Sequence, residues 1–483
     1  MIHLKSGQRE VFWDYFLVDK EKTTAQLVMK QPMKREVCLV HEEVWEDRLA
    51  NYHNIFKDGD IYRMYYLVGA NNVKINTDTT ITAKLYACYA ESRDGIHWKK
   101  PFLGVCEPYE GMTENNIVMD DRYGQLDNFF VFRDDNPHCP ENEKYKAVVR
   151  RKTGKPGLAN DSLWCYVSAD AIHFAEGWYI HSCGAFDSLN TAMWDEKIGK
   201  YRCWFRGFHD PTDWCITAGK RDIRYMESSD FKNWSEEKRI EINSPNDFQL
   251  YTNNIQKYYR NDNIFVGFPT RYVERKEWTD NFEQLCGKER RKIRMKNLEP
   301  REGLAITDGM FMTSRDGKNW ERFDEAFITV GEENGENWIY GDCYMGYGMT
   351  ETESENGGKE ISIYIPEERW SYRPVKLRRY TLRLDGFASF RAGLSGGKLV
   401  TKPFTFEGES LEVNFATSAA GSLYISFLDN DGNRIVGYES CELFGDTVSR
   451  KVKFKKSLLD LNGKKVRMEI LMSDADIYSF VIN

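Results

Sequence analysis

Apolar and polar positions alternate with a period of two through short runs along most of the chain, the pattern of half-buried strands. Runs such as LYACYAES (85–92), LWCYVSAD (163–170) and YRCWFRG (201–207) show it clearly. Four of these runs lead into one recurring turn: ESRDGIHW (91–98), VSADAIHF (167–174), ESSDFKNW (227–234) and TSRDGKNW (313–320). Each reads Ser-x-Asp-x-x-x-aromatic, with Asp94, Asp170, Asp230 and Asp316 in register. Asp followed by Gly favours a tight turn, and the aromatic after it anchors the returning strand. A polar turn and a Tyr-rich strand come before each copy, as in FKDGDIYRMYY and WDEKIGKYRCWF. One unit is therefore strand, turn, strand, strand, turn, strand: a four-stranded antiparallel blade whose period exceeds the roughly 40–45 residues of the commonest propeller repeats. A fifth copy, MTETESENGGKEISIYI (349–365), ends in LRRYTLRLDGF instead of the Asp-x-x-x-Trp turn.

The predicted architecture is all-β, a five-bladed β-propeller over residues 1–385 followed by a β-sandwich over 386–483. An N-terminal strand such as VFWDYFLVD is expected to complete the fifth blade. After residue 386 the alternation continues in KLVTKPFTFEG, SLEVNFATS and GSLYISFLDNDGNRI, where Asn-Asp-Gly at 430–432 marks a hairpin. The sandwich offers few catalytic groups and reads as a stabilising or sugar-binding module. Residues 272–306 break the rhythm with charged, helix-forming sequence that includes Lys288, Arg290, Arg291, Lys292 and Arg294. This insert is either a solvated excursion or a lid or oligomer contact.

Composition narrows the function. The chain has 483 residues and a formal net charge of −8, which lacks the basic footprint of a nucleic-acid surface. No apolar run is long enough to span a membrane, and the N-terminal stretch carries no visible signal peptide. The 11 cysteines include no C-x-x-C pair, so neither a zinc site nor a redox motif is expected, and a reducing cytoplasm fits best. Thirteen Trp, 27 Tyr and 28 Phe suit both sheet cores and platforms for sugar rings.

A ring of such blades followed by a sandwich resembles glycoside hydrolase families 32 and 43 and their relatives. FDSLNTAMWD, YTNNI, GFPTRY, DGMFMTSRDG, RRYTLRLDGF and GGKLVTKPFTFEG are similar to bacterial proteins described as family-32-like glycosyl hydrolases. The resemblance implies a glycosidase of short oligosaccharides or glycosides, with furanosides such as fructosides among the substrates. Where family 32 carries WMNDPNG, this chain has WEDRLANYHNIFKDGD, whose nearest acids are Glu46 and Asp47.

Glycoside hydrolysis needs two carboxyl groups, one held protonated, on either side of the scissile bond. In a propeller they belong at the starts of the innermost strands. Asp187 in GAFDSLNTAMWD is the expected nucleophile or base, against the alternative of a turn cap. Glu367 in SIYIPEERW follows an apolar strand and is the expected acid, with a pKa raised by desolvation; an exposed rim carboxylate is the alternative. Asp135 in FRDDNPH partly matches the Arg-Asp-Pro element of family 32, which would make it a transition-state stabiliser, although it equally suits a hairpin turn. Asp222, flanked by Arg221 and Arg224, is either a fourth acid or an ion-paired structural group. Asp342 is held in reserve. For substrate hydroxyls or a carboxylate the candidates are His53, Asn54, Asn253, Asn254, Arg271 and Asp342, with Trp338 as a stacking platform. No cofactor and no metal-ligand spacing emerges. A phosphorylase or transglycosylase, or a glycan-binding propeller without turnover, is the rival reading. The expected partner is an oligosaccharide or glycoside, with a homo-oligomer as the only protein partner considered.

Overall fold

The structure is a computed structural model that describes residues 2–46, 49–70, 84–106, 111–120, 126–152, 161–182, 184–210, 219–371 and 373–483. Asp47 lies outside the described residues. Among the described residues the regular structure is almost all strand, and five sheets follow one another as propeller blades. Blade 1 is Asn51–Asp58, Ile61–Ala70, Lys84–Ser92 and Ile117–Met119. Blade 2 is Phe129–Arg133, Tyr145–Lys152, Asp161–Ser168 and Ala175–His181. Thr191–Asp195, Lys200–His209, Lys220–Ser228 and Lys238–Arg239 form blade 3. In blade 4, Gln256–Tyr258, Asn261–Gly267, Met312–Ser314 and Asn319–Arg322 are joined by Glu241–Ile242 as a parallel fifth strand.

Blade 5 begins with Thr350–Glu353, Lys359–Glu367 and Val375–Arg383. Its outer strand is Met33–His41, which pairs with Val375–Arg383 from Val375 opposite His41 to Thr381 opposite Met33. The strand expected to close the ring was VFWDYFLVD. Instead, Arg9–Val11 pairs with Arg467–Ile482 in the sandwich, and the segment after it makes the closure. Both segments alternate in the same way, so the pattern alone does not choose between them. The seam from blade 5 back to blade 1 is completed by Ile55 N donating to Tyr347 O (2.9 Å) and Tyr347 N donating to His53 O (2.7 Å).

The recurring turn is built the same way four times. Ser92 Oγ donates to Asp94 Oδ1 (2.9 Å), which also accepts the N–H groups of Ile96 and His97 at 2.8 Å each. Asp170, Asp230 and Asp316 make the equivalent contacts. The residue after each Asp is left-handed: Gly95, Ala171, Phe231 and Gly317 all have φ between 63° and 74°. This explains the preference for Gly there, and Ala171 and Phe231 tolerate the conformation at a cost.

By internal contacts the chain divides into two compact units: 33–256 with 265–381, and 1–32 with 257–264 and 382–483. The second is the sandwich. Its two long strands, Leu411–Leu428 and Arg467–Ile482, pair from Leu411 opposite Ile482 to Leu428 opposite Arg467. Shorter strands flank them, among them Ala388–Ala392 and Gly397–Val400 on one and Asp446–Val452 on the other. Phe12, Phe390, Phe404, Phe427, Ile470 and Phe480 fill its core. The Asn-Asp-Gly hairpin forms as expected, with Gly432 N donating to Asp429 O at 3.1 Å.

Candidate functional site

Strands within a blade alternate in direction, so one end of the propeller collects the starts of first and third strands and the ends of second strands. This end carries Tyr52, His53, Asp187, Arg206, Arg221, Tyr251 and the segment 338–346. The opposite end carries the recurring Ser-x-Asp turns and the first hairpin of each blade. Asp135 falls there, at the end of Phe129–Arg133; it is 64% exposed and paired with Arg133 at 2.9 Å. Asp134, its neighbour, holds Lys146 (2.5 Å) and the Tyr201 hydroxyl (2.7 Å), as a hairpin anchor does. The structure therefore does not bring Asp135 to the strand starts.

Asp187 does stand there. It precedes the inner strand of blade 3 and forms an ion pair with Arg206, which is buried in the next strand while the Asp187 side chain is 36% exposed. The Tyr52 hydroxyl donates to the Asp187 carbonyl (3.0 Å) and fixes the loop from blade 1. The Arg206 guanidinium lies 4.7 Å from the Tyr251 ring centre, and Arg221 lies 5.5 Å from that ring and 4.4 Å from the Tyr272 ring. Tyr340 donates its hydroxyl to that of Tyr251 (2.7 Å). Tyr251, Tyr272, Tyr340 and Tyr344 form one buried cluster with Tyr52 packed against it. Burial alone would raise the Tyr251 phenol, but Arg206, the Tyr340 hydroxyl and Arg221 together bring it below its ordinary value.

Asp342 lies in the chain between two members of this cluster, Tyr340 and Tyr344. It is buried, accepts the Ile339 N–H at 2.8 Å, and passes its carbonyl to the Thr307 hydroxyl at 2.7 Å. Burial lifts its pKa to about 7, against the opposing pull of that N–H and of Arg290, Arg291 and Arg369. Arg369 lies over the rings of Tyr344 (4.8 Å) and Trp370 (5.4 Å), and Arg294 covers Trp370 from 4.5 Å.

Glu367 has the opposite environment from the one expected of an acid. Burial would raise it, yet Lys34 at Oε1 (2.8 Å) and Arg378 at Oε2 (2.7 Å) hold it below the ordinary carboxylate value, and the Tyr380 hydroxyl also donates to Oε1 (3.1 Å). Asp222 is ion-paired: Arg224 and His209 each lie 3.3 Å away, and Gly207 opposite it in the sheet places it on the face away from Arg221. Arg271 spends its fork on Asp308 (2.9 and 2.5 Å) and its remaining nitrogen on the Asp324 carbonyl.

The three asparagines act as staples between blades. Asn54 Oδ1 accepts the Val131 N–H at 2.6 Å, Asn253 reaches Thr191, Leu189 and Trp204, and Asn254 donates to the Met345 carbonyl. His53 is fully buried and meets His41 nitrogen to nitrogen at 3.0 Å; His41 in turn faces Glu46 at 3.4 Å. Burial, then His41 and Arg369, holds the His53 pKa well below its ordinary value. Glu46 is pulled down to about 2: burial opposes this, but His41 and Lys100 outweigh it. Trp338 donates to the Gly331 carbonyl (2.8 Å) and packs against Phe282 and Leu285 of the insert.

The insert itself is not a solvated excursion. It contains α1 (Asp280–Gln284), α2 (Lys288–Asn297) and α3 (Arg301–Leu304), and α2 buries Arg290, Arg291 and Arg294. Arg290 pairs with Glu336 at 2.6 Å and Arg294 pairs with Glu302. The three arginines of the run thus face inward, towards Asp342 and Trp370, while Lys288 and Lys292 stay exposed beside Glu283. Among the described residues one group has metal-compatible geometry, His209 with Asp210 and Asp247, but Lys220 (2.7 Å) and Arg239 (3.2 Å) already occupy the Asp247 oxygens.

Sequence reasoning missed Arg206, Arg221, Tyr251 and Arg369. The first two sit inside strand-like runs, YRCWFRG and KRDIRY, and the available signal was an arginine at a position that the alternation assigns to the interior.

No protein-family model matches the chain. No curated protein matches it either. Among solved structures it is similar to an N-acetylgalactosamine deacetylase from F. plautii in complex with blood group B trisaccharide, with 11% identity and a TM-score of 0.46 over 74% of this chain and 94% of that one. A thermostable family-43 glycoside hydrolase aligns at 9% identity and a TM-score of 0.43, over 73% of this chain and 94% of its own. The GH43_1 enzyme from Xanthomonas citri complexed with xylose aligns at 7% identity and a TM-score of 0.42, over 76% and 93%.

Proposed function

We propose that this protein is a glycoside-processing enzyme, a hydrolase of short oligosaccharides or glycosides, with Asp342 as its acid and Asp187 as its base or nucleophile. The observation that carries the reading is the split between carboxyl environments. Asp342 is raised to about 7, while the other described carboxyl groups with a resolved shift, Glu367 among them, are lowered. A general acid must hold its proton near working pH, and burial is the usual way to achieve this. Asp187, part-exposed and paired with Arg206, supplies the ionised partner. The tyrosine cluster, linked to Asp187 through the Tyr52 hydroxyl and including Tyr340 and Tyr344 on either side of Asp342 in the chain, offers flat faces and hydroxyls for a sugar ring. In this reading Asp342 takes the role that sequence reasoning gave to Glu367, and Asp135 and Asp222 have no part in the chemistry.

The test is a panel of fructosides, arabinosides, uronides and nitrophenyl glycosides, with and without inorganic phosphate. Release of sugar without phosphate is the expected result. Release only with phosphate would make the protein a phosphorylase, and tight binding without turnover would make it a glycan-binding propeller. Asp187→Ala should lower turnover at least about 1,000-fold in protein that still folds, with a lowered melting temperature because Arg206 loses its counter-ion; near-normal rates would remove it from the mechanism.

A further inference from the structure

Two buried arginines, Arg206 near the end of Lys200–His209 and Arg221 near the start of Lys220–Ser228, carry charge that their surroundings do not match. Arg206 and Arg221 are 4% and 8% exposed and lie over the same two rings, Tyr251 and Phe208. Arg206 has Asp187 as its counter-ion. Arg221 donates to the Gln249 amide oxygen at 2.6 Å and pairs with no carboxylate among the described residues. Nε and Nη1 of Arg206 and Nε of Arg221 are buried with no acceptor among the described residues.

Bringing two guanidiniums together in a desolvated site is costly unless an anion completes it. Burial and the Arg206 charge both push the Arg221 pKa down, which is the same mismatch seen from the proton's side. Counting Asp187, the site holds two positive charges and one negative, so it is one negative charge short of balance. A monoanion with planar, fork-matching oxygens fits that deficit, whereas a dianionic phosphate would overshoot it.

We propose that Arg206 and Arg221, over Tyr251 and Tyr272, form a subsite for the carboxylate of a uronic acid residue in the substrate. This rests on the glycoside-processing reading above and gives it a substrate class. Arg221 recognises the acid, while Arg206 divides its charge between the substrate and Asp187. The neutral sugar of the same configuration would leave Arg221 unpaired and is discriminated against for that reason.

The test is calorimetric binding of methyl glucuronide and methyl galacturonide to the full chain, beside the matching neutral methyl glycosides and inorganic phosphate. At least one uronide should bind about tenfold or more tighter than its neutral counterpart. Arg221→Gln should weaken uronide binding by about 10- to 100-fold and should not weaken binding of the neutral sugar. If Arg221→Gln does not fold, Arg221→Lys, which keeps the charge and loses the fork, decides the matter by a smaller loss on the uronide alone. Equal binding of acid and neutral sugars, unchanged uronide affinity in the variants, or phosphate binding tighter than either uronide would each overturn the proposal. Binding and cleavage are read separately. Uronide selectivity without bond cleavage defeats the hydrolase reading and leaves the subsite, while cleavage of neutral glycosides without selectivity does the reverse.

Discussion

The sharpest consequence at the level of single residues concerns Asp342, because its proposed role and its stability effect run on the same proton. As an acid it must be protonated, so activity should fall as pH rises through about 7. Asp342→Asn should lower turnover by about 100- to 10,000-fold and abolish that limb of the pH profile; a profile unchanged in the variant would exclude it. The stability effect follows from linkage. Its folded pKa lies above the ordinary 3.8, so the native state binds the proton more tightly, and the group's stabilising effect erodes as pH rises between roughly 4 and 7. Asp342→Asn should therefore gain stability relative to the parent at pH 8, by up to about 4 kcal/mol. His53 works in the other direction: its folded pKa is depressed, so it stabilises least below the ordinary histidine value of 6.5. Comparing melting temperatures of parent and variant from pH 5 to 8 separates the two. The position of Asp187 ahead of the inner strand of blade 3 was legible because the alternation of that strand begins just after it. Sequence reasoning misled at Glu367 because the neutralising Lys34 is more than 300 positions away along the chain.

Within the elements, the four Ser-x-Asp turns were legible because everything they need lies within a few residues: a serine, an aspartate, two backbone N–H groups and a left-handed position. Their equivalence makes a testable series. Asp230→Ala removes the acceptor of the Lys232 and Asn233 N–H groups and should cost about 1 kcal/mol, read as a lowered urea midpoint. Asp94, Asp170, Asp230 and Asp316 all have folded pKa values below the ordinary one, so their contribution is present near neutrality and fades as pH falls below about 4. Gly95→Ala is harsher than its size suggests. The position has φ 74°, and a β-carbon would stand 2.9 Å from the Thr350 hydroxyl and 3.0 Å from that of Tyr364. A loss of about 1–3 kcal/mol is expected, and a neutral result would show that the turn can re-form without the glycine. The closing strand of blade 5 was not legible, since Met33–His41 and Arg9–Val18 alternate alike and the pairing partner lies some 340 residues onward.

For the molecule as a whole, both ends of the chain belong to the sandwich unit while the strand that follows residue 32 closes the propeller, and one substitution in each unit should show the division. Leu39 is buried in the strand that closes blade 5, opposite Leu377. Leu39→Pro removes a backbone donor and twists that strand off the ladder, which should cost about 3 kcal/mol or more. Asp385 anchors the sandwich unit: its buried carboxylate accepts from the Tyr258 hydroxyl (2.6 Å), Arg260 (2.8 Å) and the Ser479 hydroxyl (2.6 Å), with Arg9 at 3.3 Å. Asp385→Ala leaves those donors facing an empty place and should cost about 3–5 kcal/mol, since breaking one side of a buried ion pair strands the other. Hydrogen exchange distinguishes where each loss falls. After Leu39→Pro, protection should drop first in Val375–Arg383 and the other strands of blade 5, with Leu411–Leu428 retained. After Asp385→Ala the order should reverse, with Arg467–Ile482 exchanging early. Equal loss across both units in both variants would mean that the chain unfolds as one cooperative block, and a single unfolding free energy would then describe it; the expected split means that stability must be assigned unit by unit.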